Sequence, residues 1–213
     1  MKLKAGTRAA MRLFHSPTSP YVRKVRVCAA ELGLADRIEL VPVTPSRLAP
    51  DPRLAAVNPL AQVPTLVLED GTTITGSDVI CQFLDSIAGD RLVPASGAAR
   101  WRTLSLHGLA NGVIETAQLY RFETGLRPEP LVWSDWTEAQ LRKIRSGLAG
   151  MEQAIPELGD RIDLAAITFA CAFAYLDHRV PALDWRSEQP VSAHWFAGFS
   201  SRPSMTATAP VNP

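Results

Sequence analysis

The chain is poor in cysteine, and its cysteines lie far apart. Cys28, Cys81 and Cys171 form no C-x-x-C pair and no spacing suited to a metal, so no metal site is expected. An odd, scattered set excludes a disulfide framework and points to a reducing compartment, here the cytoplasm. Each sits in an apolar helical context, where a small buried hydrophobe is the expected role. An excess of one charge is lacking as well. The formal net charge is +1, which gives no field to attract nucleic acid or an acidic membrane surface. No run reaches the roughly 18 consecutive apolar residues of a membrane-spanning helix. The basic stretch 1–10 is not followed by a long apolar segment. It reads as an extension ahead of the first strand and not as a signal peptide. Internal repeats and low-complexity tracts are absent too.

What is present divides the chain in two. Over about the first ninety residues, strand and helix signals alternate. Met11-Arg12-Leu13-Phe14 is strand-like. Val22, Val25, Cys28, Ala29 and Leu32 then recur at helical spacing up to Gly33, with Arg23, Lys24 and Arg26 assigned to the outer face. Ile38 to Val43 alternates as a second strand, and prolines at 42, 45, 50 and 52 keep the following loop irregular, with a short helical turn at Arg53 to Val57. Val63 to Leu68 and Thr73 to Thr75 flank Asp70-Gly71, a strong hairpin signal. Gly76-Ser77 then opens a helix, with Ser77 the expected cap and Val79, Ile80, Phe83, Leu84 and Ile87 its apolar face. A β-α-β, β-β-α order suits a four-stranded mixed sheet covered by helices.

Gly89 to Gly97 reads as a linker. Beyond it the patterns are helical: Trp101 to Phe122, Thr137 to Ile155, and the almost wholly apolar Asp163 to Leu176. The last is about 14 residues long, too short to span a bilayer, and reads as the buried centre of a bundle with Asp163 as cap. The expected organisation is an extension at 1–10, an α/β domain at 11–90 and an all-helical domain at 97–213, with residues from Thr206 onward extended.

The segment Ser16-Pro17-Thr18-Ser19-Pro20-Tyr21 sits where the first strand becomes the first helix. Serine can accept a hydrogen bond from a first-turn amide, and proline at the first helical position loses nothing by lacking its own N–H. Ser19 Oγ therefore stands at the positive end of a helix dipole, a place suited to an anion such as a thiolate. A plain helix start accounts for the same residues.

Four segments together carry a family resemblance: Ser19-Pro20-Tyr21-Val22-Arg23-Lys24, Asn58-Pro59-Leu60-Ala61-Gln62-Val63-Pro64, Gly76-Ser77-Asp78-Val79-Ile80, and Arg161-Ile162-Asp163-Leu164 with Tyr175-Leu176-Asp177-His178. From Met11 onward the chain resembles the glutathione S-transferases, in particular a poorly characterised bacterial branch. The resemblance implies a thioredoxin-like N-terminal domain and a C-terminal helical bundle, assembled as a homodimer. It also implies glutathione as co-substrate, a detoxifying conjugation to a small hydrophobic electrophile, and no metal.

The resemblance further implies roles for individual residues. Ser19 would hold the glutathione thiolate, since Ser19-Pro20 fills the slot where family members carry Ser-Pro or Cys-Pro. Ser16 and Tyr21 are rivals for that contact. Val63, ahead of a cis Pro64, would pair with the cysteine backbone, Gln62 would meet the glycine carboxylate, and Gly76-Ser77 would receive the γ-glutamyl head. Gly76 departs from the Glu or Asp usual at its position, so the charge for the γ-glutamyl ammonium must come from elsewhere, Asp78 or a partner subunit. Tyr21, His107, Asn111 and Tyr120, with Arg121, are candidates for an electrophile pocket. A non-catalytic dimeric interaction module of the same fold, and a glutathione-dependent peroxidase or dehalogenase, are the alternatives.

Overall fold

Strand β1, Met11–His15, buries Met11, Leu13 and Phe14 and exposes Arg12, the pattern of a central strand covered on both faces. The computed structural model that shows this describes residues 11–44, 46 and 48–210; the extension 1–10, Pro45, Arg47 and residues 211–213 lie outside the described set. Helix α1, Pro20–Glu31, follows β1 and ends ahead of Gly33, whose φ of +70° is open to glycine at little cost. Strand β2 is Ile38–Pro42, and a short helix α2 is Pro52–Ala55. Strands β3, Thr65–Leu68, and β4, Thr73–Thr75, form the hairpin, and helix α3 is Ser77–Ile87.

The sheet order is β2-β1-β3-β4. Strand β1 runs parallel to β2 and antiparallel to β3, and β3 is antiparallel to β4. Four strands of mixed direction, with α1 and α3 packed together, give a thioredoxin-like sheet unit. Phe14, Val43, Leu54 and Val67 form a core cluster, and Val63 packs against it. Each such side chain removed from water contributes about 1.5–3 kcal/mol.

The second unit runs Ser96–Arg202 and is helical. Helices α4, Gly97–Leu126, and α5, Ser134–Leu158, pack on each other and on α6, Leu164–Arg179. Every residue of α6 from Leu164 to Leu176 is buried, as its apolar run demands, and Asp163 caps it by accepting from Ala166 N–H at 2.9 Å. Short helices α7, Trp185–Glu188, and α8, Pro190–Ser200, close the unit, with Phe173 stacked on Trp185 at 4.6 Å between ring centroids. Among the described residues no helix is long and apolar enough to cross a membrane.

Several expectations need correction. The first unit reaches Ala95 and resumes at Pro203, so the final segment does not belong to a helical domain running 97–213. Nor is the described part of that segment extended. Helix α9, Pro203–Thr206, packs on α1, and Thr208 is buried with its hydroxyl donating to Ser204 O at 2.7 Å. The carbonyls of Met205 and Ala207 accept from Arg23 and Arg26 at 3.0 and 3.3 Å, which is how a short polar tail finds enough partners to settle. Lys24 does not lie on an outer face of α1; it is fully buried. Val79 is 56 % exposed because α3 buries the stripe Ser77, Ile80, Cys81, Leu84 and Asp85 instead.

Candidate functional site

Strand register gathers the predicted glutathione residues at one end of the sheet. Phe14 pairs with Thr65, and Thr65 pairs with Thr75. The exit of β1, the entry of β3 and the exit of β4 are therefore neighbours. The segments attached there are Ser16–Ser19, Gln62–Pro64 and Gly76–Ser77. Separations of more than forty residues in sequence collapse to adjacent strand ends, which antiparallel pairing produces without further help.

Ser19 caps α1, accepting from Val22 N–H at 3.3 Å, with Pro20 in the first turn. Its own N–H donates to Ser16 O at 3.2 Å, closing the turn. Ser19 is half-buried, and among the described residues its hydroxyl hydrogen has no acceptor. It can thus donate outward while its lone pair caps the helix. Of the rivals, Ser16 is buried, with Oγ 3.5 Å from Thr18 Oγ1, and Tyr21 is half-buried, with the Lys24 ammonium 5.7 Å from its ring centroid. Just ahead, burial first and then Arg26 hold the His15 imidazole below its usual pKa.

The loop before β3 is shaped by Asn58, which sequence reasoning placed in a motif but gave no role. Its buried amide donates to Gln62 O at 3.1 Å and to Thr65 Oγ1 at 2.9 Å, and its Oδ1 accepts from Leu60 N–H at 3.0 Å. Thr65 Oγ1 adds a second donor to Gln62 O at 2.8 Å. The carbonyl of Gln62 is thereby fixed inward while its side chain stays exposed. An Asn-Pro pair, with asparagine prone to bond its own backbone two residues on, was the available signal. The Val63–Pro64 peptide is cis. The Val63 side chain packs into the core, and among the described residues neither its N–H nor its C=O makes a backbone hydrogen bond.

At the third segment, Gly76 and not Ser77 takes the cap position of α3. Gly76 has φ +83°, which turns the chain from β4 straight into the helix. Ser77 is the first helical residue and is buried. Its Oγ donates to Asp78 Oδ1 at 3.1 Å in place of capping a backbone amide. The first-turn amides of α3 remain outside the helical ladder, as at any helix start. Asp78 is also the partner of Lys24, at 2.5 Å.

The electrophile candidates do not share one face. His107 is buried in the helical unit, where its Nδ1 lies 2.8 Å from Thr168 Oγ1. Thr168 spends its hydrogen on Leu164 O at 2.6 Å, so the imidazole is the donor in this pair and ties α4 to α6. Asn111 follows His107 by one turn, whereas Tyr120 and half-buried Arg121 lie farther along α4; nine residues, or two and a half turns, put Tyr120 on the side opposite Asn111. Tyr21 belongs to the other unit. A groove of about 800 Å³ opens in the helical unit between the end of α4 and the start of α5, lined by Leu119, Phe122, Glu123, Leu126, Trp133 and Trp136. None of the five predicted residues lines it.

A thioredoxin-like sheet unit, a helical unit with a fully buried central helix, and a hydroxyl at the mouth of α1 define the architecture of a glutathione transferase. Comparison with known proteins agrees. Residues 18–87 match the family model for the glutathione S-transferase N-terminal domain, and residues 134–198 match that for the C-terminal domain. A glutathione transferase family member from Pseudomonas fluorescens Pf-5, solved with bound glutathione, is 44 % identical with a TM-score of 0.92; the alignment covers 95 % of this chain and 100 % of that one. A Pseudomonas fluorescens Pf-5 family member with bound S-(propanoic acid)-glutathione is 43 % identical with a TM-score of 0.88, over 94 % of this chain and 100 % of that one. The uncharacterized GST-like protein YibF of Escherichia coli K12 is 29 % identical over 204 residues, 94 % of this chain and 98 % of that protein. The chain belongs to the glutathione S-transferase family.

Proposed function

We propose that this protein binds glutathione at the sheet end bearing Ser19, Val63 and Ser77 and conjugates it through its sulfur to a small hydrophobic electrophile. The observation that carries the reading is the convergence of those three segments by strand register, in a chain 44 % identical to a family member that holds glutathione. Each handle of the tripeptide meets a matching group. The N–H and C=O of Val63, without a backbone hydrogen bond among the described residues, offer the cysteine backbone the pairing an added strand would make. The start of α3 beside Ser77 suits the γ-glutamyl carboxylate. The exposed Gln62 amide is within the same loop for the glycine carboxylate.

A free cysteine thiol has a pKa of about 8.5, and the thiolate is the nucleophile. The Ser19 hydroxyl donates to the sulfur, and the first-turn amides of α1 add their field. A depression of one unit requires only about 1.36 kcal/mol of preference for the anion. Serine does not take the proton; it stabilises the anion that remains. The thiolate then attacks an electrophilic carbon, forming a thioether as the leaving group departs with its electron pair. Support for a substituent on sulfur comes from the S-(propanoic acid)-glutathione bound by a relative. Homodimeric assembly is part of this reading and is checked by light scattering.

The test is calorimetric titration with glutathione, followed by conjugation assays with an activated aryl halide and, separately, with an organic peroxide. Micromolar to millimolar binding with aryl conjugation is the expected result. Peroxide turnover without conjugation would move the assignment to a peroxidase. No binding at all would leave a non-catalytic module.

A further inference from the structure

Lys24 is the largest charged side chain wholly withdrawn from solvent in the described residues, and its partner is not withdrawn with it. The ammonium has no exposure, while the Asp78 side chain is 43 % exposed. Nζ and Oδ1 are 2.5 Å apart, and the same Oδ1 accepts from Ser77 Oγ at 3.1 Å. Lys24 stands on α1, five residues beyond Ser19, and Asp78 on the first turn of α3, so the pair joins the two helices that begin at the candidate site. A lysine taken fully out of water is costly unless paired. Asp78 alone would satisfy the α3 dipole, so helix stability does not account for the lysine.

The chemistry of the site does account for it. A lone carboxylate adjoining Ser77 repels any second carboxylate brought to the same helix start. The Lys24 ammonium, itself out of solvent, offsets that charge from its buried side. The first-turn amides of α3 then dominate the local field.

We propose that Lys24 sets the head-group specificity of this site: by neutralising Asp78 from behind, it lets the α3 start accept a carboxylate beside Ser77. Lys24 is a positioning residue in this account and does not touch ligand. The inference rests on the glutathione reading above and names which feature of glutathione it serves, the α-carboxylate of the γ-glutamyl group.

The experiment compares glutathione with 4-aminobutyryl-cysteinyl-glycine, which is glutathione without that carboxylate. Lys24→Met is expected to weaken glutathione at least about tenfold while leaving the des-carboxy peptide within about twofold of its wild-type affinity. Lys24→Met combined with Asp78→Asn is expected to restore most of the glutathione affinity, because the carboxylate charge at position 78 is gone. A purely structural lysine predicts otherwise: equal weakening of both peptides, and no rescue by Asp78→Asn. Either result overturns the inference, as does unchanged glutathione binding by Lys24→Met. If the wild-type protein binds neither peptide, the glutathione reading itself falls and takes the inference with it.

Discussion

The Asp85 carboxylate accepts the backbone N–H of Leu92 at 2.7 Å, across the turn that leaves α3. The same side chain accepts from Arg91 N–H at 2.7 Å and Val93 N–H at 2.9 Å, and Asp85 is buried. One side chain thus satisfies three consecutive amides as the chain leaves the sheet unit. Asp85→Ala strands buried donors and is expected to cost about 3 kcal/mol or more. Asp85→Asn, which keeps one acceptor, should cost less. Urea unfolding of both variants checks the order.

Gly76→Ala tests a backbone requirement. A Cβ at this position would meet only Val79 Cγ2, at 3.9 Å, so space is available. The φ of +83° is the obstacle, and it should cost about 1–3 kcal/mol. With ψ at 123° the position lies outside the αL well that Asn can enter, so Ala, Asn and Glu should all be strained. Thermal unfolding of the three variants ranks them, and a carboxylate installed by Gly76→Glu is expected to destabilise the protein.

Ser19→Ala removes two functions together. Loss of the cap should cost about 1 kcal/mol of stability. Loss of the donor should raise the pKa of bound glutathione by about one unit or more and lower turnover about tenfold or more at neutral pH. Thiolate absorbance titrated against pH separates the second effect from the first. Ser16→Ala should leave the thiolate titration unchanged.

Met205→Ala probes the returning segment. Met205 is fully buried, and its carbonyl holds Arg23. The substitution should cost about 2–5 kcal/mol. Hydrogen exchange should show the loss on α1 and the sheet before it reaches α6.

His15 links stability to pH. Burial, reinforced by Arg26, lowers its folded pKa below the unfolded value near 6.5. In the window between the two values the unfolded chain binds the extra proton. Its contribution is therefore intact above pH 6.5 and is lost as pH falls through that window. His15→Gln should flatten the decline in melting temperature between pH 7 and 5.

Much of this arrangement was legible in the residues because its causes are local. The Asp70-Gly71 hairpin announces itself: Gly71 has φ +86°, and Asp70 accepts from Thr72 N–H at 2.8 Å. The apolar run of α6 admits only a buried helix. Ser19-Pro20 reads as a cap and is one. Lys24 was misread because a lysine on a helix is ordinarily solvated, and its partner stands 54 residues away. Asp85 gave no signal, since its partners are backbone amides, which have no sequence signature. Ser77 lost the cap position because the turn out of β4 needs a left-handed residue, which Gly76 supplies. The electrophile candidates His107, Asn111, Tyr120 and Arg121 come from the first long helix of the helical unit as a whole, and pitch separates Tyr120 from Asn111.

The discontinuity of the sheet unit bears on how the polypeptide is made. A ribosome delivers residues in order, and early segments ordinarily fold while later ones are still being added. Here Arg23 and Arg26 of α1 must wait for the carbonyls of Met205 and Ala207, which are translated only after the entire helical unit. A nascent chain halted at Arg202 would carry both arginines of α1 without their carbonyl partners.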